Sequence, residues 1–305
     1  MLAAFTGNFI FGLSFLFSTT AFTTAQNALA GTSASSGADV PIVLAIRFTF
    51  AFLLMSALIP LLKIKINFKS KPVWKLILLG VFQPVIYFIG ESFGLKMTGI
   101  VISSVMIALI PIVCQILSTV FLRDMPNFLQ VIFSIISVGG VVFATIISSG
   151  DNGAKTYIGG ILCLAVAVLS AAAFNVLGRS ISQVFSPYER TYFMFIVSAV
   201  FFSLYALFAV NFDASLIVKP LASPEFIVSI FYLGGLSSVV AYFMINYANT
   251  YLPIARATIF SNVITVVSTA AGFLAGETFR ISTVICCIVI VTGVWGVQHF
   301  APQQK

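Results

Sequence analysis

Long apolar stretches separated by short polar segments dominate this 305-residue chain. Each stretch of about 20 residues is long enough, as a helix, to cross a hydrocarbon layer of about 30 Å. Backbone polar groups in lipid need hydrogen bonds within their own segment, so every stretch is predicted to be helical. We therefore expect an all-α membrane protein with ten transmembrane helices. The stretches begin near Leu2, Pro41, Lys75, Gly99, Asn127, Tyr157, Arg190, Phe226, Pro253 and Ile281.

The composition leaves no room for a soluble domain, because 60% of the residues are hydrophobic and only 8% are charged. A soluble domain carries roughly 25% charged residues. The net charge of +7 does not indicate nucleic-acid binding, because five of the lysines cluster in one short loop. Short cytoplasmic loops collect Lys and Arg, so this loop and both termini are predicted to be cytoplasmic. The clustered lysines are Lys63, Lys65, Lys69, Lys71 and Lys75.

The polar segment 23–40 lacks Lys and Arg and contains the run Gly-Thr-Ser-Ala-Ser-Ser-Gly. This composition predicts a flexible external loop. The loop is interpreted either as a spacer or as a lid over an outer vestibule. The chain contains no Asn-x-Ser/Thr glycosylation site, which favours a prokaryotic cytoplasmic membrane.

Metal, cofactor and enzyme chemistry have no signature in this sequence. All four cysteines fall inside predicted helices, where they are interpreted as core residues, and the one histidine is His299. The chain has no His-Glu-x-x-His, no Gly-x-Ser-x-Gly and no phosphate-binding glycine loop. We expect neither an enzyme nor an ATP-driven pump.

An internal repeat is indicated by polar residues that recur at one spacing. Gln83, Tyr87 and Glu91 share one helix face, and a shift of 155 residues leads to a second polar set centred on tyrosine. Two halves of five helices, residues 1–150 and 151–305, would be antiparallel in the membrane, as in inverted-repeat transporters. The stripes are either two walls of a central cavity or hydrogen-bonding contacts between helices. The second set is Ser238, Tyr242 and Asn246.

Ionisable side chains within a membrane are costly and indicate function. Arg47 and Glu91 lie at similar depths in neighbouring predicted helices, so the sequence predicts a salt bridge. This pair is a fixed structural contact or opens for a zwitterionic substrate; alternatively, Glu91 couples transport to protons. Asn262 is a further candidate that binds substrate or ties two helices together. Pro84 and Pro111 are predicted to kink or break their helices.

Several short motifs resemble one transporter family. The run from Tyr232 to Ala248 and the later Leu-Ala-Gly-Glu ending at Glu277 are similar to the second repeat of the drug/metabolite transporter superfamily, EamA type. Asn8 and the residues after it, Arg47-Phe48 and Ile110-Pro-Ile are similar to the first repeat. Arg123-Asp124 departs from the Gly-Glu that this family usually has. The resemblance implies a ten-helix secondary transporter with a central cavity, more often an exporter than an importer.

The function expected from this sequence is transport of a small neutral or zwitterionic metabolite, such as an amino acid, by alternating access. Besides substrate, its expected partners are membrane lipids, with the protein as a monomer. Carriers of phosphorylated substrates need several cationic side chains, and Arg47 is the one candidate here. The alternative is a channel or a lipid-translocating protein, although no ring of like charge or filter repeat is present.

Overall fold

The computed structural model is helical wherever it has regular secondary structure among the residues it describes. In this part of the chain, six helical spans are long and apolar enough to cross a membrane, and two of these spans run through a π-helical segment. Four shorter helical segments are also apolar. The predicted all-α membrane architecture is therefore confirmed. The described residues are 1–32, 34, 37–68, 71–122, 127–148, 154–252, 260–275 and 281–300.

Thirteen α-helices follow one another along these residues. Two π-helical segments, Val81–Ile86 and Phe231–Val240, join α3 to α4 and α10 to α11. The helices are α1 (Leu2–Leu29), α2 (Asp39–Leu61), α3 (Trp74–Gly80), α4 (Tyr87–Ile107), α5 (Ile110–Leu122), α6 (Phe128–Ser148), α7 (Ala154–Ile181), α8 (Pro187–Ala209), α9 (Ala214–Val218), α10 (Pro224–Ile230), α11 (Ala241–Tyr251), α12 (Ser261–Leu274) and α13 (Ile281–His299).

The helix breaks predicted at proline are confirmed. Gln83, just before Pro84, has the extended angles φ −142° and ψ 120°, which interrupts the helical hydrogen-bonding pattern. Two residues separate α4 from α5, and Pro111 is the second residue of α5. Gly99 interrupts α4 with a φ of 82°, a conformation that glycine adopts without steric cost. The apolar stretch that begins near Gly99 therefore forms two helical pieces, the end of α4 and the whole of α5.

The predicted loop 23–40 is wrong in its bounds, because α1 continues to Leu29 and α2 begins at Asp39. Residues 23–29 include Ala, Gln and Leu, which favour helix, and Ala25 is fully buried. A prediction based on hydropathy places the end of a membrane helix where polar residues begin. Here the helix continues past that point because packing buries one of its faces.

Helix packing joins the first half of the chain to the second. Helix α1 packs on α11 and α12, and α7 packs on α4 and α5. Helix α2 packs on α8, and α6 packs on α13. The crossing of α4 and α7 is close because Gly90 and Gly94 face α7 without side chains. Helices α1, α4, α7 and α11 thereby surround a common central space.

Candidate functional site

A central cavity lies between α1, α4, α7 and α11, with further lining from α5 and α12. Its volume is about 70 Å³, and it contains both polar and aromatic side chains. The polar side chains are Asn8, Ser14, Gln83, Glu91, Asn175, Asn249 and Ser261. The aromatic side chains are Phe11, Phe15, Tyr87, Phe88, Phe174 and Tyr242.

The two predicted tyrosine-centred stripes meet at this cavity. Gln83, Tyr87 and Glu91 line it from the first half of the chain, and Tyr242 lines it from the second. The amide nitrogen Nε2 of Gln83 donates a hydrogen bond to the Tyr242 hydroxyl, at 2.9 Å. This contact joins positions 159 residues apart in the sequence. Tyr242 is fully buried and also packs edge-on against Phe11 and Phe174.

Ser238 and Asn246 do not extend the polar lining, so that part of the predicted stripe is wrong. Ser238 lies in the second π-helical segment, whose i→i+5 hydrogen bonds change the spacing that keeps residues on one face. Asn246 Nδ2 instead donates to Thr191 Oγ1 on α8, at 3.0 Å. A regular helix has 3.6 residues per turn, so the cavity face of α11 continues from Tyr242 through Ile245 and Asn249.

Arg47 is buried but does not form the predicted salt bridge with Glu91. Its Nε donates to Ser238 Oγ at 3.1 Å, and its Nη2 donates to Ser237 Oγ at 3.0 Å. The guanidinium carbon also lies 4.3 Å from the centre of the Phe88 ring, within cation–π range. The two hydroxyls and the aromatic face thus solvate the guanidinium. Arg47 therefore ties α2 to the second π-helical segment and lies outside the cavity lining.

Glu91 lines the cavity with a buried side chain that is 5% exposed. Among the described residues, its carboxylate has neither a hydrogen-bond donor nor a salt-bridge partner. Buried carboxylates are normally paired, because removing a charge from water is costly. A carboxylate that faces a cavity and has no hydrogen-bonded protein partner can accept a hydrogen bond from a ligand or take up a proton.

Two regions of the chain, residues 1–146 and 158–298, match the model of the EamA-like transporter family. The chain belongs to the EamA-like transporter family. An uncharacterized transporter of Bacillus subtilis, YcxC, is 31% identical over 303 residues, covering 96% of this chain and 91% of the relative. An uncharacterized transporter of Archaeoglobus fulgidus is 29% identical over 258 residues, covering 84% of this chain and 87% of the relative.

This EamA-like transporter also shares its fold with a protein of known crystal structure. The TM-score is 0.64 and the alignment covers 99% of both chains at 15% sequence identity. The family resemblance inferred from the motifs is thus confirmed, and the chain is an integral membrane transporter of a type found in bacteria and archaea. The family is one of transporters, not of enzymes.

Three asparagines of this EamA-like transporter line the cavity beyond the eight predicted site residues. Asn249 Nδ2 donates to Asn175 Oδ1 at 3.0 Å, which links α11 to α7. Asn8 Nδ2 donates to its own helix, at the Ala4 carbonyl. Asn249 follows Tyr242 by seven residues, so helical spacing from that tyrosine would have identified it. The predicted site residue Asn262 belongs to α12, and its side chain is not among those that the structure describes.

Proposed function

We propose that this EamA-like transporter is a secondary carrier that moves a small neutral or zwitterionic metabolite, such as an amino acid, by alternating access. The observation that carries the proposal is the cavity between the two family-matched regions, bridged by the hydrogen bond from Gln83 to Tyr242. A site shared by two halves can be exposed to either side when those halves move relative to each other.

The proposal includes ten membrane crossings in two inverted halves, residues 1–150 and 151–305. Packing in related pairs supports this arrangement: α1 contacts α11 and α12, and α7 contacts α4 and α5. If α1 corresponds to α7, α4 to α11 and α5 to α12, a two-fold axis would convert the first pair of contacts into the second. The two π-helical segments, one in each half, occupy equivalent positions as well. We further propose that the protein works as a monomer.

The chemistry of the cavity supports an ammonium-bearing substrate. Glu91 supplies the one ionisable carboxylate among the described lining residues, and that lining contains no Arg or Lys. The ammonium group of an amino acid would face Glu91, and its side chain would contact the aromatic rings. A phosphorylated substrate would lack the cationic side chains that bind phosphate groups. The hydrogen bonds available to a substrate carboxylate come from tyrosine hydroxyls and amides.

The small cavity supports alternating access over a permanently open pore. Small-molecule sites usually have volumes of roughly 300–1,000 Å³, whereas this cavity measures about 70 Å³. The helices must therefore separate before a metabolite can enter. A channel or lipid-translocating protein is the alternative function.

The proposal has two further parts. Glu91 couples transport to protons, and the direction of transport is export.

A ligand screen followed by a transport assay tests this function. Purified protein is melted in the presence of amino acids, nucleosides and amines, because a true ligand stabilises the folded state. The ligand is then followed into proteoliposomes. Tyr87→Phe and Tyr242→Phe each remove one cavity hydroxyl without creating a void, so uptake should fall about tenfold while expression stays normal.

Tyr205→Phe is the matched control, because Tyr205 lies on α8 away from the cavity lining. Its uptake should equal that of the wild type. Wild-type uptake by both cavity variants would remove the cavity from the transport path. Ion conductance through the reconstituted protein would instead favour a channel.

A further inference from the structure

Two arginines hold the C-terminal end of α11 against its neighbours. Arg179 of α7 donates from Nη1 to the carbonyl oxygens of Asn249 and Thr250, at 3.2 and 3.0 Å. Arg190 of α8 donates from Nη2 to the Asn246 carbonyl, at 2.7 Å, and to the Thr250 hydroxyl. We call Arg179 and Arg190, with these acceptors, the arginine clamp.

The clamp binds the C-terminal ends of α7 and α11, which carry partial negative charge. Arg190 also donates from Nη1 to the Gly178 carbonyl at 3.0 Å, so one guanidinium bridges the last turns of α7 and α11. Unsatisfied carbonyls at helix C-termini attract cations. Neither arginine forms a salt bridge with a carboxylate in the described part of the chain. The clamp is thus built from hydrogen bonds to backbone carbonyls and to one threonine hydroxyl, all of which water can replace.

The clamp lies directly beyond one end of the central cavity. Asn249 and Asn175 line the cavity and bond to each other across it, and Arg179 follows Asn175 by one helical turn. The same end carries the lysine-rich loop, because Glu189 beside Arg190 binds Lys71 of that loop at 2.8 Å. Parting α11 from α7 at this point would open the cavity toward the face that bears the lysines.

The closed clamp leaves polar atoms unsatisfied. Arg190 Nε and Asn246 Oδ1 are buried and have no hydrogen-bond partner among the described residues. A buried polar atom without a partner costs free energy that it regains when water reaches it. Opening this end would hydrate both atoms and also the carbonyls that the arginines release. The closed state is therefore held by bonds whose loss is partly offset by hydration.

We propose that the arginine clamp is the gate that closes the cavity toward the lysine-loop face. This inference rests on the proposed alternating access through the same cavity. Arg179, which is partly exposed, releases the end of α11, and the Asn175–Asn249 hydrogen bond then breaks. Arg47 cannot play this part at the opposite end, because it is buried among Ser237, Ser238 and Phe88.

Cysteine accessibility tests the gate without knowledge of the substrate. Ser14→Cys places a thiol in the cavity, in a background whose four native cysteines are replaced by alanine. A charged, membrane-impermeant methanethiosulfonate reagent is applied to each face of sealed vesicles. A separate Lys65→Cys variant identifies the lysine-loop face. Arg179→Gln should raise the labelling rate on the order of tenfold from that face and leave the opposite face unchanged.

Lys65→Gln is the matched control, because it removes one positive charge from an exposed position on the same side. Its labelling rate should equal that of the parent. Asn249→Ala provides a second gate variant, and gel filtration checks that each protein is folded. Unchanged labelling in both folded gate variants, or faster labelling from the opposite face only, would overturn the gate. Faster labelling with normal transport in the tyrosine variants would keep the gate and remove the proposed substrate site.

Discussion

Arg47 and Glu91 are both buried ionisable side chains, and their surroundings differ. Arg47 has two hydroxyl partners and an aromatic face, so its charge is solvated by the protein itself. Glu91 faces the cavity without such partners among the described residues. The guanidinium of Arg47 is thus held by contacts within the protein, whereas the carboxylate of Glu91 faces the cavity.

Separate roles for these residues predict unequal effects of substitution on stability. Arg47→Lys keeps the charge but cannot bond both serines through a planar fork, so it should lower the free energy of unfolding by about 1–3 kcal/mol. Glu91→Gln should cost less than the ~3–5 kcal/mol typical of a broken buried ion pair. Denaturant unfolding in detergent measures both. A loss of that larger size for Glu91→Gln would show that the pair forms after all.

Helices α4 and α7 cross closely beside the candidate site. A Cβ atom on Gly90 would lie 2.5 Å from the Cys163 carbonyl oxygen, and one on Gly94 would lie 2.5 Å from Leu164 Cγ. Backbones that approach this closely exclude any side chain at the contact. Since Glu91 directly follows Gly90, this crossing also sets where the carboxylate enters the cavity.

Alanine at the crossing should therefore force the two helices apart. Gly90→Ala should destabilise the protein by about 1–3 kcal/mol, the usual cost of overpacking, and should reduce transport by displacing Glu91. The thermal melting temperature and proteoliposome uptake measure these effects. Gly139→Ala on α6 is the control, because a Cβ there would meet nothing within 4 Å. It should be neutral or stabilising by up to ~1 kcal/mol; equal losses in both variants would contradict the close-contact argument.

The distribution of charges predicts the orientation of the whole molecule in the membrane. The lysine-rich loop and the arginine clamp share one face, since Lys71 binds Glu189 beside Arg190. Helix α2 runs from Asp39 to Leu61, just before the lysine-rich loop, so Asp39 lies at the opposite face. The sequence that precedes Asp39 from residue 23 onward lacks Lys and Arg. Positive residues collect on the cytoplasmic side, so the clamp is expected to close the cytoplasmic end of the cavity.

Thiol labelling in intact cells checks this orientation. A cysteine in place of Ala34 should react with an impermeant reagent from outside, and a cysteine in place of Lys65 should react only after the membrane is permeabilised. The two single-cysteine proteins serve as controls for each other. The reverse pattern would invert the topology and place the clamp at the outer end.

The amino-acid sequence alone determined the all-α membrane class, the helix breaks near Pro84 and Pro111, and the family. These properties depend on local composition, backbone chemistry and motif order. The two polar stripes in the sequence also predicted that Gln83, Tyr87, Glu91 and Tyr242 line a shared cavity, and all four line it in the structure. The repeat supplied that prediction without any knowledge of helix packing.

Tertiary structure alone decided which other polar residues reach the cavity and what the charges contact. Ser238 and Asn246 left the stripe because a π-helical segment and the 3.6-residue turn rotate them toward Arg47 and α8. Arg47 bonds serines from the other half of the chain, a choice set by the packing of α2. The arginine clamp depends on three helix ends meeting at one point. Spacing along a sequence specifies a helix face, but packing specifies what that face meets.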